Sequence, residues 1–493
     1  MEKKKTKLSY DKLKHFLNPF LIALGIAIIA DVIAKTGVVA IIIFACLFLL
    51  LLFVNVILKK YIRLARVLAI ISLVMILSMI PTTFDMFRIF DLNLMNWLFQ
   101  NSGNAYVSDD IVLVHLDEES AKIYDVDTDN LATSRNLHGK VLKILSECGA
   151  KSVAIDIGFP SKVGYDKNEF ISMITSAKEN GTSVIIGLFR EFNKNTGKMD
   201  EYPNDKEIAE VATGQGYLDF VGFEGKSTEI RAIKFVDEQC EDEQDEIEVL
   251  KGEEKLQPAK ASLSLSAYCS QGAHFNIEDD ELVIHNENPK NAESKEFSIP
   301  RDENGLTYIP FPNADFKEYN YAQIISTYEQ ENENLEENYD HHLILERPLK
   351  EIFNNKFVIM AITCGEGKKD NVCLPGNRIV HGSVIHAYAL SALILENFII
   401  EVPLKYKTLI NLSAILVLFY VLTVSKIKLG WKIILTSALL LGFVLFMLIL
   451  FRYFLVYCSP VYVIISMTMS IVIFPVAEKI FMFKPPKDKR GGK

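Results

Sequence analysis

Two aspartates stand where short apolar runs end: Asp117 follows Ile111–Leu116 (IVLVHL) and Asp156 follows Ser152–Ile155 (SVAI). A third run, Lys356–Ile362, leads into Cys364, Gly365 and Glu366. Groups beyond the carboxyl ends of parallel strands line the usual ligand crevice of an open α/β sheet. The same aspartates can equally cap the turns or helices that follow, through their side-chain oxygens. Nothing completes a catalytic set. Ser120 has no assignable base, and the chain contains no G-x-S-x-G, H-E-x-x-H, P-loop or glycine-rich nucleotide fingerprint. The chemistry expected is binding without turnover, so the chain reads as no enzyme and as needing no cofactor.

The elements that must hold these groups follow from hydrophobic period. Ile111–Leu116 is a β-branched run, Leu137–Cys148 repeats apolar residues at helical spacing, and Ser152–Ile155 is a second strand. Such a strand–helix–strand unit builds parallel sheet. The alternation continues with a helix at Phe170–Ala177 and a strand at Thr182–Gly187. A helix at Lys260–Cys269, short strands near Leu282–Ile284 and Thr307–Ile309, the strand Lys356–Ile362 and a helix from Ser383 to Glu396 follow. The fold class expected is α/β, with a mixed, largely parallel sheet.

Around this stretch lie six long apolar runs, at about 16–34, 37–58, 65–83, 408–425, 433–451 and 454–476. Each approaches the roughly 20 residues needed to cross a bilayer. Lys and Arg accumulate at the N-terminus (Lys3, Lys4, Lys5, Lys7), between the second and third runs (Lys59, Lys60, Arg63, Arg66), between the fourth and fifth (Lys426, Lys428, Lys432) and at the C-terminus. Positive-inside bias then places both termini in the cytoplasm and the central region outside. The expected organisation is a basic N-terminus (1–15), three transmembrane helices (16–83), an extracytoplasmic domain (84–404), three transmembrane helices (405–477) and a basic tail (478–493). The lipid membrane is thus the first partner, and the location expected is the cytoplasmic membrane.

The net charge of −10 belongs to the exported part, because the cytoplasmic ends are basic. An acidic exported surface argues against nucleic acid as a partner. Asp237–Glu254 alone carries ten carboxylates in eighteen residues, without the spacing of a calcium loop. The seven cysteines show no zinc-type spacing, so no metal is expected. Cys364 and Cys373 flank a short loop in an oxidising space and could pair as a disulfide.

The order of segments resembles a family. IVLVHLDEES (111–120), Arg135 and His138 ahead of a helix, LSECGAKSVAIDIGF (145–159), GYLDF (216–220), SLSLSAY (262–268), PFPNADFKEYNYAQIIS (310–326), NNKFVIMAITCGEG (354–367) and IVHGSVIHAYALSALI (379–394) are together similar to the class-two CHASE domain, an extracellular sensory module of bacterial receptors. The resemblance covers about 105–476. Gly382, Val384, His386 and Ala387 match the family's Gly-Val-x-x-His-Ala element, whereas Ala361–Gly365 replaces its small-residue turn and only Asp370 and Pro375 remain of its Asp-x-x-x-Thr-Pro stretch. Strand ends and resemblance together give the candidate ligand-binding set Asp117, Glu118, Arg135, Asp156, Cys364, Glu366, Asp370 and His386, with His386 also readable as a packing residue. Family members carry a cyclase, kinase or phosphatase after the last span, where this sequence has only Glu478–Lys493. Sixteen residues cannot build a catalytic core. The expectation is a membrane sensor that binds an unidentified ligand and signals to a separate signalling or envelope protein, as a single chain or a homo-oligomer. A scaffold for an envelope complex, without sensing, is the alternative.

Overall fold

The computed structural model describes 106–127, 134–161, 167–193, 198–219, 232–236, 261–278, 281–286, 295–301, 305–333, 343–365, 367, 370–374, 378–402 and 429–458, with isolated positions at 94–98, 410 and 461–468. In chain order come β1 (Ile111–Leu116), α1 (Glu118–Ile123), α2 (Arg135–Glu147), β2 (Ser152–Gly158), α3 (Asn168–Glu179), β3 (Ser183–Asn193), β4 (Lys198–Tyr202), α4 (Lys206–Val211) and β5 (Gly214–Tyr217). Next are β6 (Ala232–Ile233), α5 (Leu263–Cys269), β7 (Ala273–Glu278), β8 (Glu281–Asn286), β9 (Lys295–Pro300), β10 (Thr307–Tyr308), β11 (Lys317–Asn320), α6 (Tyr321–Glu333) and α7 (Leu349–Phe353). The last group is β12 (Phe357–Ile362), β13 (Asn371–Leu374), β14 (Arg378–His381), α8 (Gly382–Leu395), β15 (Ile400–Glu401), α9 (Leu429–Phe454) and β16 (Val456–Tyr457).

A seven-stranded sheet runs in the order β11-β1-β12-β2-β3-β4, with β5 also on β3. Every pairing in it is parallel except β3 with β4. β12 is buried at all six positions and β1 at all but His115, the continuous apolar content that a strand covered on both faces requires. One face packs Ile111, Leu113, Ala154, Phe357 and Ile359 beneath α5 and α8. The other packs Val112, Val114, Val153, Ile155, Val358 and Met360 beneath α2, α3, α6 and α7. Local signals set the helix ends. α2 stops where Gly149 turns to φ +84° and the Ala150 amide bonds the Leu145 carbonyl, a left-handed glycine stop.

The chain divides into two compact units: 88–407 with 441–460, which contains the sheet, and 1–87, 408–440 and 461–493. Among the described residues one helix, 434–454, is long and apolar enough to cross a membrane. The other five apolar runs lie wholly or largely outside the described residues. One boundary differs from the hydropathy reading. The run expected at 454–476 begins with Leu455 at φ +52°, which ends α9, and with β16, whose Val456 and Tyr457 pair in parallel with Ile400 and Glu401 of β15. Phe451 and Tyr457 pack there against Tyr308 and Ile399 in a small separate core.

The expected disulfide does not form; Cys364 and Cys373 are both thiols. Cys364 is fully buried in the core under α6, with Tyr321, whereas Cys373 lies in β13, opposite Ile379 of β14. Strand alternation turns Cys373 away from Val372 and Leu374, which pack on the opposite face of the sheet from Cys364.

Candidate functional site

A cavity of about 560 Å³ opens at the carboxyl ends of β11, β1 and β12 and is roofed by β14 and the start of α8. Its size suits a small-molecule ligand. β1 contributes His115 and Asp117, β11 and the turn before it contribute Asp315, Glu318 and Asn320, and Thr363 follows β12. Arg378 and His381 come from β14, Val384 and Tyr388 from α8.

Helix caps fix the polar floor. Asp117 caps α1, its Oδ1 accepting the Ser120 amide at 2.9 Å, and its Oδ2 accepts from Asn320 Nδ2 at 2.9 Å. Asn320 in turn caps α6 reciprocally, with Oδ1 accepting the Gln323 amide at 2.8 Å and the Asn320 amide donating to Gln323 Oε1 at 3.0 Å. Capping and pocket lining are therefore the same arrangement, not alternatives. On the opposite wall the Arg378 guanidinium donates to Pro312 O at 2.9 Å and to Tyr388 Oη at 2.8 Å. Burial, then the neighbouring His381, press the His115 pKa down to about 4 against the opposing pull of Asp117, so His115 is neutral near pH 7. Burial, together with Asp315, raises the Glu318 carboxyl. The wall thus offers one fixed cation, carboxylates and hydrogen-bonding groups, a set for a small polar ligand bearing both a donor and an anionic acceptor.

Behind this cavity lies a second cluster. β2 bulges against β3 between Ile155 and Gly158, and Asp156 occupies the irregular step, where bulges re-aim side chains. Its side chain is 6% exposed and stands 3.7 Å from the Nε2 of His386, which α8 buries completely. Asp156 Oδ2 is buried without a hydrogen-bond partner. Ligand atoms of Asp156, Asp370 and His381 all lie within 4.8 Å of one another. Burial, reinforced by the charge of Asp370, pushes the Asp156 carboxyl well above the usual range. Burial, together with His381, brings the His386 pKa down to about 3, against a backbone hydrogen bond with Leu218.

The expected residues therefore separate into groups. Asp117 lines the cavity; Asp156, Asp370 and His386 belong to the second cluster. Three do neither. Arg135 is buried at the start of α2 and donates to Pro160 O at 2.7 Å, tying down the segment after β2. Glu118 is exposed on the first turn of α1, and Cys364 is a core thiol. Glu366 lies outside the described residues. His115, Arg378 and His381 were not anticipated. His115 had a signal, as the polar residue inside an apolar strand, and His381 directly precedes the glycine that begins α8.

In a comparison with known families, the model of the CHASE2 domain matches residues 68–425. The chain belongs to the CHASE2 family. CHASE2 is an extracellular sensory domain family, and the match runs across β1, Asp156, Asp370 and the whole of α8. No curated protein and no solved structure matches the chain. The CHASE2 match begins upstream of the resemblance read from the motifs, inside the third apolar run.

Proposed function

We propose that this CHASE2 protein is a non-enzymatic sensor of the bacterial cytoplasmic membrane, held by six spans with both termini inside. Its exported sheet domain binds a small polar ligand in the cavity, and the bound state is read by a separate signalling polypeptide. The observation that carries this reading is the course of α8. Its first turns supply Val384 and Tyr388 to the cavity, and its other end passes through Glu396, in the left-handed conformation, to Ile399 and β15. Fourteen helical residues span roughly 21 Å, so one rigid element joins the cavity to the segment that precedes the fourth apolar run. A ligand that prefers one position of α8 shifts the population of that position and no more than that.

The test is co-purification of the full chain from native membranes, followed by measurement of the partner's output with wild-type protein and with Asp117→Asn/Arg378→Gln. Loss of regulated output with the complex still assembled supports sensing through the cavity. Unchanged output with the complex intact favours the scaffold reading and overturns this one.

A further inference from the structure

We propose that Asp156, Asp370 and His381 form a binding site for a divalent first-row metal ion such as Zn²⁺, at the inner end of α8. The site does not depend on the sensory reading, since an ion can be held here in a scaffold as well as in a receptor. Sequence spacing could not reveal it: Asp156 is on β2, Asp370 precedes β13 and His381 ends β14, and only the sheet topology brings them together.

Three observations converge. The three ligand atoms lie within 4.8 Å of one another. Tetrahedral Zn²⁺ with bonds of about 2.0–2.2 Å needs ligand atoms roughly 3.4 Å apart, so a contraction of about 1.4 Å or less closes the set. Independently, Asp156 Oδ2 is buried and has no hydrogen-bond partner, in a side chain only 6% exposed. A buried carboxylate oxygen is costly to leave unfilled. Finally, the backbone is shaped to admit Asp370. Its carbonyl accepts the Gly382 amide at 2.8 Å, and a Cβ on Gly382 would land on its carboxylate. Among the described residues no Lys or Arg forms an ion pair with either aspartate. Two carboxylates and an imidazole, with His386 3.7 Å from Asp156 as a second imidazole alongside, make a mixed nitrogen–oxygen donor set. Such a set suits Zn²⁺ or its first-row neighbours better than Ca²⁺, which takes six to eight oxygens.

Ligation has a definite proton balance at His381. Nδ1 now accepts the Ser383 amide at 3.2 Å, and Nε2 lies 3.2 Å from Gly367 O. Binding through Nε2 releases the Gly367 contact and puts the ring proton on Nδ1, which gives up the Ser383 amide and donates instead to Ser383 Oγ at 2.9 Å. Asp156 binds as the carboxylate, so any proton it carries is released to solvent. Asp370, the exposed member, marks the side from which the ion enters.

The full chain in detergent, stripped with a chelator and desalted, is titrated with Zn²⁺ and, for its visible spectrum, with Co²⁺. Wild type should retain one equivalent of Zn²⁺, and Co²⁺ should show the d–d absorption of a four- or five-coordinate site. Asp370→Asn and His381→Gln should each weaken binding at least tenfold. Asp370 is exposed, so its variant keeps the test sound if His381→Gln fails to fold. A wild type that retains no ion and shows no Co²⁺ band overturns the site. Retention that persists unchanged in both variants also overturns it, because the ion then sits elsewhere on this acidic chain.

Discussion

Two fully buried histidines occupy opposite faces of the sheet. His138, near the start of α2, and His386, near the start of α8, both have pKa values held down to about 3, chiefly by burial. Their surroundings differ in kind. His138 lies 2.8 Å from Ser134 Oγ through Nε2 and 2.7 Å from Tyr321 Oη through Nδ1, so hydroxyls satisfy both ring nitrogens. Its ring also meets those of Phe159 and Tyr321 edge to face. His386 faces a buried aspartate whose second oxygen has no partner. A saturated buried polar group specifies a core. On the other face the unsaturated group is Asp156 Oδ2, close to the carboxylate of Asp370, while His386 Nδ1 lies 3.4 Å from Ser264 Oγ.

The largest expected effect breaks the saturated side. His138→Ala leaves a cavity and strands the Ser134 and Tyr321 hydroxyls, and should lower unfolding stability by about 2–4 kcal/mol in denaturant titration. A loss below about 1 kcal/mol would show that water replaces the ring and that His138 is not a core group. The acid limb comes next. The folded-state pKa of His138 is lowered from 6.5 to about 3, so the unfolded chain takes up a proton that the folded chain refuses. Stability from this group is fully present above pH 6.5 and is lost as pH falls toward 3. His138→Gln should therefore reduce the slope of stability against pH near pH 5 by about 1.4 kcal/mol per unit, the value for one proton. An unchanged slope would place the titrating group elsewhere.

On the unsaturated side the sign reverses. Asp156→Asn removes one of two facing carboxylates and should raise the stability of chelator-treated protein by about 1 kcal/mol, read as a higher thermal midpoint. A fall instead would mean that Asp156 is a structural hydrogen-bonding group like His138. The smallest effect is for Gly382→Ala. The group that its Cβ meets is the carboxylate end of Asp370, which can swing away, and alanine is acceptable at the first residue of a helix. Stability should change by less than about 1 kcal/mol, while Zn²⁺ retention falls; unfolding would show that the backbone cannot yield there.

Period and composition were enough to read the central layer. β1, α2, β2, β3, β12 and α8 all carry the buried apolar patterns from which they were expected. Less was legible where packing overrides pattern. β11 (KEYN) has no strand-like alternation and exists because β1 offers it a parallel edge. The bulge in β2 is invisible in SVAIDIG, yet it gives Asp156 its setting. Asp117 was rightly placed at a strand end, but its partner Asn320 is 203 residues away. The choice of Cys364 and Cys373 followed loop length, which says nothing of their burial: Cys364 is a core group, whereas Cys373 is half-buried in β13.

The pairing of β15 with β16 has a mechanical consequence. The Ile400 and Val402 amides bond the Leu455 and Tyr457 carbonyls, and the two strands are parallel. Two stretches of chain, one following α8 and one just past α9, therefore run side by side in the same direction, about 4.8 Å apart. A push along one is shared with the other. A flexible ten-residue Gly/Ser insertion after Pro403 therefore leaves this clasp intact, and separating the two strands also requires cutting the bond network at 455–457.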